Sequence, residues 1–160
     1  MNPNERKQTL SNNRKRYVSK AGWYSLSYPN SWVVQEAEEC STFTDPKNGV
    51  GALQISAYET PTPQNAKDTL LEYLSDNDVY FDEREITLQV DDGRSTASYS
   101  YTQGLWFKRV WFVSEGNRLL MITYNCKSEH QGKEDGAVEE IVRSLVLDSE
   151  AAIDVQRGRL

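Results

Sequence analysis

Histidine and cysteine, the side chains most often used in zinc sites and in nucleophile pairs, are few in this sequence. Its one histidine, His130, follows Cys126 by four residues, and a second cysteine, Cys40, lies far upstream. A zinc site would need Glu129 or Glu134 as a further ligand, and the usual paired Cys-x-x-Cys spacing is missing. A cysteine–histidine nucleophile pair would need a lowered thiol pKa and a third group that orients the imidazole. We therefore favour buried thiols and a solvated histidine.

No recognised catalytic motif accompanies these residues. The sequence contains no Gly-x-Ser-x-Gly elbow, no phosphate-binding loop and no dinucleotide fingerprint. We therefore predict that the protein is not an enzyme and uses no cofactor.

Acidic side chains form a second group, directly after a predicted helix. Carboxylates of this kind can bind Ca²⁺, but the spacing of an EF-hand loop, with its central glycine and terminal glutamate, is absent. A solvated loop is the preferred interpretation, and its charge would suit contact with a basic protein. The candidate partner-binding acids are Asp76, Asp78, Asp82, Glu83 and Glu85.

Two aromatic residues, Trp106 and Phe107, stand at the start of a predicted strand. Exposed aromatics anchor protein interfaces, although aromatics more often complete a core. Trp106 is therefore added to the five acids as a candidate partner-binding residue, with the core interpretation left open beside it.

A long hairpin followed by a helix is the predicted centre of the fold. Gly116-Asn117 separates two apolar runs, which is typical of a two-residue turn with positive φ. Both faces of the hairpin are largely apolar, so it should lie in mid-sheet with other elements packed on each side. The pairs expected from this turn are Glu115 with Arg118, Val113 with Leu120, Trp111 with Ile122, Arg109 with Tyr124, Phe112 with Met121 and Val110 with Thr123.

Two amphipathic helices are predicted to cover this sheet. The first should begin at Thr62-Pro63, with Thr62 as its cap, and should end near Asn77. The second places Glu139 and Arg143 as an i, i+4 ion pair on its wet side. Its apolar stripe consists of Val138, Ile141, Val142 and Leu145.

The other strands complete an antiparallel sheet. A second hairpin, of strands 86–90 and 95–101 about Asp92-Gly93, should pair Leu88 with Ala97. It has one polar face and should lie toward an exposed part of the sheet. Strands interrupted by one helix and closed by another predict an α+β domain, an antiparallel sheet sandwiched by helices. The cover would be two helices, or one helix and the N-terminal strands. The remaining strands are expected over 23–28, 32–34, 40–44 and 53–58.

Charge divides the chain into a basic start and an acidic body. Residues 1–20 carry six basic groups against one acid, or +5, which leaves −11 for the remainder of a chain whose net charge is −6. We expect a basic flexible leader over 1–20, one domain over 21–148 and a flexible tail over 149–160. The leader could contact nucleic acid or lie on the acidic body, and a solvated leader is preferred. The acidic body would repel nucleic acid and anionic lipid.

The expected compartment is the cytoplasm. No apolar run approaches the roughly 18 residues of a membrane span, and the polar start lacks the apolar core of a signal peptide. In a reducing compartment Cys40 and Cys126 are expected to be free thiols rather than a disulfide.

Three stretches of the sequence resemble the PsbP-like superfamily. They are WYSLSYPNSW, STFTDPKNGVGALQISAYETP, and RLLMITYNC leading into EEIVRSL. That family includes the photosystem protein PsbP, a nuclear-import factor that binds the Ran GTPase, and bacterial domains of unknown role. The resemblance spans roughly Trp23 to Leu147 and implies an α/β/α sandwich with a binding or scaffolding role. No binding residue of the family can be matched to a position here.

The hypothesis we favour is a non-catalytic, cytoplasmic, bacterial domain whose acidic surface docks a basic protein partner. An immunity-protein or chaperone-like role would be a concrete form of it. The alternative is a small enzyme or a metal- or ligand-binding domain that uses Cys126, His130 and nearby carboxylates. The sequence leaves the partner and the oligomeric state open.

Overall fold

Ten strands and two helices make up residues 13–147, the part of the chain described in this computed structural model. The helices are α1 (Ala66–Asp76) and α2 (Asp135–Arg143). Single 3₁₀ turns occupy Glu83–Glu85 and Ser128–His130. The strands are β1 (Arg14–Val18), β2 (Tyr24–Pro29), β3 (Val33–Glu36), β4 (Ser41–Thr44), β5 (Gly51–Glu59), β6 (Thr87–Asp91), β7 (Arg94–Gln103), β8 (Trp106–Glu115), β9 (Arg118–Lys127) and β10 (Val146–Leu147).

The central element is a seven-stranded antiparallel sheet in the order β3-β4-β5-β9-β8-β7-β6. Gly116 turns the chain between β8 and β9 with φ of 56°, a conformation that glycine adopts without strain. All six predicted pairs of this hairpin are confirmed, among them Trp111 with Ile122 and Phe112 with Met121. The hairpin lies in mid-sheet, as its two apolar faces predict.

Each face of this sheet has its own core and its own cover. Helix α1 packs Leu70 and Leu74 over Val110 and Phe112 on one face. On the other face, α2 and a smaller sheet, of order β1-β2-β10, enclose a second and larger cluster that contains Trp111. The predicted fold class, α+β with an antiparallel sheet between helices, is confirmed, and the N-terminal strands share the covering of one face with α2.

The N-terminal boundary of the domain differs from the expected one. Residues 14–18 form β1, which pairs with β2 along its length, so the leader does not extend to residue 20. Tyr17 explains the difference, because its ring packs on Phe43 at 5.4 Å and its hydroxyl lies 2.7 Å from the Ser41 hydroxyl. Arg14 adds an ion pair of 3.0 Å with Glu140. Residues 1–12 and the predicted tail lie outside the described residues.

Strand β1 also changes the distribution of charge. Residues 21–147 carry −10, and residues 13–20 add four basic side chains, so residues 13–147 contain 14 basic and 20 acidic side chains and carry −6. The domain is acidic, but only moderately so.

The helix boundaries required two corrections. Helix α1 is capped by Asn65, whose side chain accepts the Asp68 N–H, and not by Thr62. Leu145 is buried as predicted but lies just beyond α2, whose last helical residue is Arg143. The predicted end of α1 near Asn77 is confirmed. Within residues 13–147, neither helix is long and apolar enough to cross a membrane.

The hairpin of β6 and β7 forms one edge of the sheet. Every residue of β6 is exposed, as its polar pattern predicts, and Leu88 stands opposite Ala97 in the expected register. The predicted start at Ile86 is one residue early, because Ile86 caps the preceding 3₁₀ turn and packs on the α1 side.

Candidate functional site

The predicted acids follow the C-terminal end of α1. Ser114 donates a 2.6 Å hydrogen bond to the Gln64 carbonyl, which fixes the start of α1 near the β8–β9 turn. The helix therefore runs toward the opposite end of the sheet, and Asp76 and the acids after it lie near the β7–β8 turn. Asp76, Asp78, Glu83 and Glu85 are exposed, whereas Asp82 is half-buried.

Two of the five acids are engaged in local ion pairs. Asp82 accepts the Arg84 N–H at 3.0 Å and binds its guanidinium at 2.8 Å, and this partner lowers the pKa of the Asp82 carboxyl. Glu83 lies 3.7 Å from Lys67. Within residues 13–147, Asp76 and Asp78 make no ion pair, so their charge remains available for a partner. Glu85 follows Arg84 and lines a small pocket with Arg109 on the other face of the sheet.

Trp106 lies at the same end of the sheet and on the same face as α1. Side chains alternate along β8, so Trp106 points to the side of Val110 and Phe112 but beyond the end of the helix. Its side chain is 48% exposed, and Leu105 in the adjacent turn is 79% exposed. Phe107 points to the other face and is buried. Of the two aromatic candidates, Trp106 is thus exposed and Phe107 belongs to the core.

We group the exposed side chains after the C-terminal end of α1 with those at the β7–β8 turn and call them the acidic–aromatic patch. It combines exposed apolar groups, including Tyr80 at 93% exposure, with carboxylates that have no local cation. Lys108 and Lys127 lie on the same face beside Trp106, so the acidic part of the patch is on the α1 side. Its members are Asp76, Asp78, Tyr80, Leu105 and Trp106.

The cysteine and histidine residues do not form a reactive site. Cys126 points into the α2-side core with 1% exposure, and burial raises the pKa of its thiol. Cys40 directly precedes Ser41 of β4, which is level with Ile55 of β5 and with Ile122 of β9. Cys126 lies four residues further along β9, too far away to pair with Cys40. Both thiols are free. This geometry supports neither a disulfide nor a nucleophilic cysteine.

His130 is held by its neighbours on the surface. Its Nδ1 lies 2.8 Å from Lys133 Nζ, and its Nε2 lies 3.6 Å from Glu129. In the described part of the chain, no three or more His, Cys, Asp or Glu side chains are grouped as metal ligands would be. The metal-binding alternative therefore finds no support in the arrangement of these residues.

Glu134, the other proposed zinc ligand, has a structural role. Its Oε1 accepts hydrogen bonds from the N–H groups of Val50 and Gly51, at 3.2 and 2.9 Å, and from the Tyr124 hydroxyl at 2.7 Å. Position 51 suits glycine because a Cβ there would lie 2.6 Å from the Tyr124 hydroxyl. Glu134 thus ties the residue before α2 to β5 and β9.

Two grooves were not predicted from the sequence. One, of about 590 Å³, lies between the β6–β8 part of the sheet and α2. The other, of about 440 Å³, lies beside β1, β2 and β4, with Trp23, Cys40 and Tyr58 in its lining. The polar face of the β6–β7 hairpin could have indicated the first groove. In the sequence this face predicted only that the hairpin is exposed.

The fold and the exposed patch define a PsbP-like α+β domain in which no catalytic grouping is seen among the described residues. The family model described as a domain of unknown function, DUF3805, matches residues 12–156. The chain belongs to this family.

Two solved structures are similar to this one. A protein of Bacteroides thetaiotaomicron VPI-5482 matches with a TM-score of 0.62 and 21% identity over 85% of this chain and 49% of its own. This chain thus spans about half the length of that protein. Cyanobacterial PsbP (CyanoP) of Synechocystis sp. PCC 6803 matches with a TM-score of 0.64 and 14% identity over 84% of this chain and 92% of its own. At these identities the likeness shows the PsbP-like fold alone. No curated protein matches the sequence.

Proposed function

We propose that this domain is a non-catalytic binding module that docks a basic protein partner on the acidic–aromatic patch. The observation that carries the proposal is the exposure of Trp106, Leu105 and Tyr80 together with that of Asp76 and Asp78, which make no ion pair among the described residues. An immunity-protein or chaperone-like role is a concrete form of such binding. The compartment that we expect for it is the bacterial cytoplasm.

The apolar and charged members of the patch would contribute in different ways. A tryptophan buried at the centre of an interface is among the residues whose truncation weakens binding most. Carboxylates at the rim mainly accelerate encounter with a positively charged partner and make it sensitive to salt. The partner is therefore expected to present a basic surface around an apolar pocket.

The position of Asp76 supports a role outside folding. It is the last residue of α1, and that helix has no basic residue in its last turn. A carboxylate at the C-terminal end of a helix opposes the helix dipole and costs about 0.3 to 1 kcal/mol. Asp76→Lys should therefore stabilise the fold slightly while it weakens partner binding, an outcome that a purely structural role would not produce.

The experiment begins with capture of partners by the tagged chain at low salt, followed by purification of each stoichiometric partner. Binding is then measured for Trp106→Ala and for Asp76→Lys. Asp78 is left unchanged because its φ of 55° makes substitution there a source of strain. Glu39→Lys is the matched control, since this exposed acid precedes β4 near the opposite edge of the sheet.

We expect Trp106→Ala to weaken binding about thirtyfold, the effect of a hot-spot residue. The charge reversal should weaken binding about tenfold at low salt and less at high salt. The control Glu39→Lys, with the same change in net charge, should leave the affinity within about twofold. A partner that binds all four proteins equally, or the absence of any salt-sensitive stoichiometric partner, would contradict the proposal.

A further inference from the structure

The 590 Å³ groove beside α2, which we call the arginine groove, differs in chemistry from the acidic–aromatic patch. Its volume is within the range of about 300 to 1,000 Å³ that is usual for small-molecule sites. Three arginines line it, against two acids, Asp91 and Glu139. Arg94 also lies 3.5 Å from Glu115, so each of the three arginines has an acidic neighbour.

The floor of the groove is a grid of hydroxyl and amide groups. Thr87 pairs with Ser98, and Gln89 pairs with Thr96, so these four side chains point to the same side of β6 and β7. Neighbouring β8 contributes Val113 and Trp111. A polar floor of this kind presents donors and acceptors to a ligand rich in hydroxyl groups.

Two of the arginines are held in place at the ends of this floor. Arg94 donates a 2.8 Å hydrogen bond to the Leu145 carbonyl. The Arg109 guanidinium stacks on Trp111 at 4.4 Å. Arg109 pairs with Ser100, six residues along β7 from Arg94, so the two arginines are about 20 Å apart along the groove. The site is thus elongated.

Glu139 is the local counter-ion that a ligand could replace. Its carboxylate binds Arg109 at 2.8 Å and Arg143 at 3.8 Å, and its side chain is largely exposed. The pair with Arg143 is exposed and contributes little to stability, whereas the Arg109 side chain is only 23% exposed, so a ligand anion competes with Glu139 most readily at Arg143. Guanidinium groups bind carboxylate and phosphate in the same forked geometry.

We propose that the arginine groove binds an elongated, polyhydroxylated anion of the sugar phosphate or sugar acid class. The anionic group binds at Arg109 and Arg143, and the hydroxyl groups lie along Thr87, Gln89, Thr96 and Ser98. A nucleotide fits less well, because Trp111 is only 4% exposed beneath Arg109 and offers no free ring for a base. This proposal is independent of partner docking on the other face.

The test is titration of the protein at low salt with glucose 6-phosphate, glucuronate, glucose and inorganic phosphate, followed by calorimetry or amide chemical shifts. We expect saturable binding of glucose 6-phosphate or of glucuronate, and the tighter of the two identifies the anion. Glucose and inorganic phosphate should each bind at least about tenfold more weakly, because glucose lacks the anionic group and phosphate lacks the sugar hydroxyl groups.

Variants separate the two halves of the site. Arg143→Gln, at an exposed position that will not disturb folding, should weaken the anionic sugars about tenfold, and Glu139→Gln should strengthen them about threefold. Thr96→Val should weaken the anionic sugar but not inorganic phosphate. Arg84→Gln, an exposed arginine after the acids, is the matched control and should change nothing.

Three results would overturn the proposal. One is the absence of saturable binding of both anionic sugars at millimolar concentration. Another is binding that Arg143→Gln leaves unchanged. The last is equal affinity for inorganic phosphate and for glucose 6-phosphate, which would show that the groove binds anions without recognising the sugar.

Discussion

The two faces of the seven-stranded sheet are both apolar, yet they are covered to different extents. On the α1 side, one helix and the chain after it cover β7 and β8, while Leu88 and Val90 of the edge strand and Trp106 at the sheet end remain exposed. On the α2 side, a helix and three further strands enclose the larger core. The difference shows that the extent of cover, more than the composition of the sheet, decides where an interaction surface is left.

Substitution of Trp111 should have the largest effect on this comparison. Trp111→Ala opens a cavity in the more completely covered core and should lower the free energy of unfolding by about 3 to 5 kcal/mol. Thermal and urea unfolding measure this directly. Leu88→Ala, on the exposed edge of the other face, is the control and should stay within about 0.5 kcal/mol. Equal losses from the two variants would show that the faces are not covered as described.

An intermediate effect is expected at Glu134, which fastens α2 to the sheet. Glu134→Ala leaves two backbone N–H groups and the Tyr124 hydroxyl without their acceptor and should cost about 2 kcal/mol. Glu134→Gln retains an acceptor oxygen and should cost less than half as much. The same unfolding measurements distinguish the two. A Gln variant as unstable as the Ala variant would mean that the hydrogen bonds at Oε1 are not the stabilising interaction.

The smallest effect is expected from Tyr101, under the edge of the α1 cover. Burial raises the pKa of its hydroxyl to about 12, above the ordinary value of 10.0. The neutral form is thus favoured in the folded state, so its contribution to stability is complete below pH 10 and is lost as the pH rises from 10 toward 12. Tyr101→Phe should make unfolding less steep with pH in that window and leave neutral stability nearly unchanged. Identical alkaline profiles for both proteins would contradict this assignment.

Much of the fold can be predicted from local patterns in the sequence, namely turn residues and the apolar faces of strands. Gly116 sets the register of β8 and β9, and two apolar faces require cover on both sides. Strand β1 escaped prediction because a single buried residue, Tyr17, holds it in place among basic side chains. Its partner Phe43 lies in β4, and so distant a contact leaves no periodic signal in the sequence.

The candidate surface was predictable only in part. The acids are contiguous in the chain, and their exposure follows from charge alone. Whether Trp106 or Phe107 is buried depends on the face of the sheet to which its side chain points and on where α1 ends. Both depend on tertiary packing, which the local sequence does not reveal. The arginine groove is lined by Arg94 of β7 and Arg143 of α2, which are far apart in sequence. No spacing of residues in the sequence could therefore predict it.

The most direct test of the proposed docking is amide hydrogen exchange of the domain, alone and in complex with its purified partner. We expect slower exchange in the complex for residues 76–80 and 104–107, the backbone of the acidic–aromatic patch, with β3 and β4 unchanged. Protection confined to β3 and β4, or to the arginine groove, with residues 76–80 and 104–107 unaffected, would contradict the account.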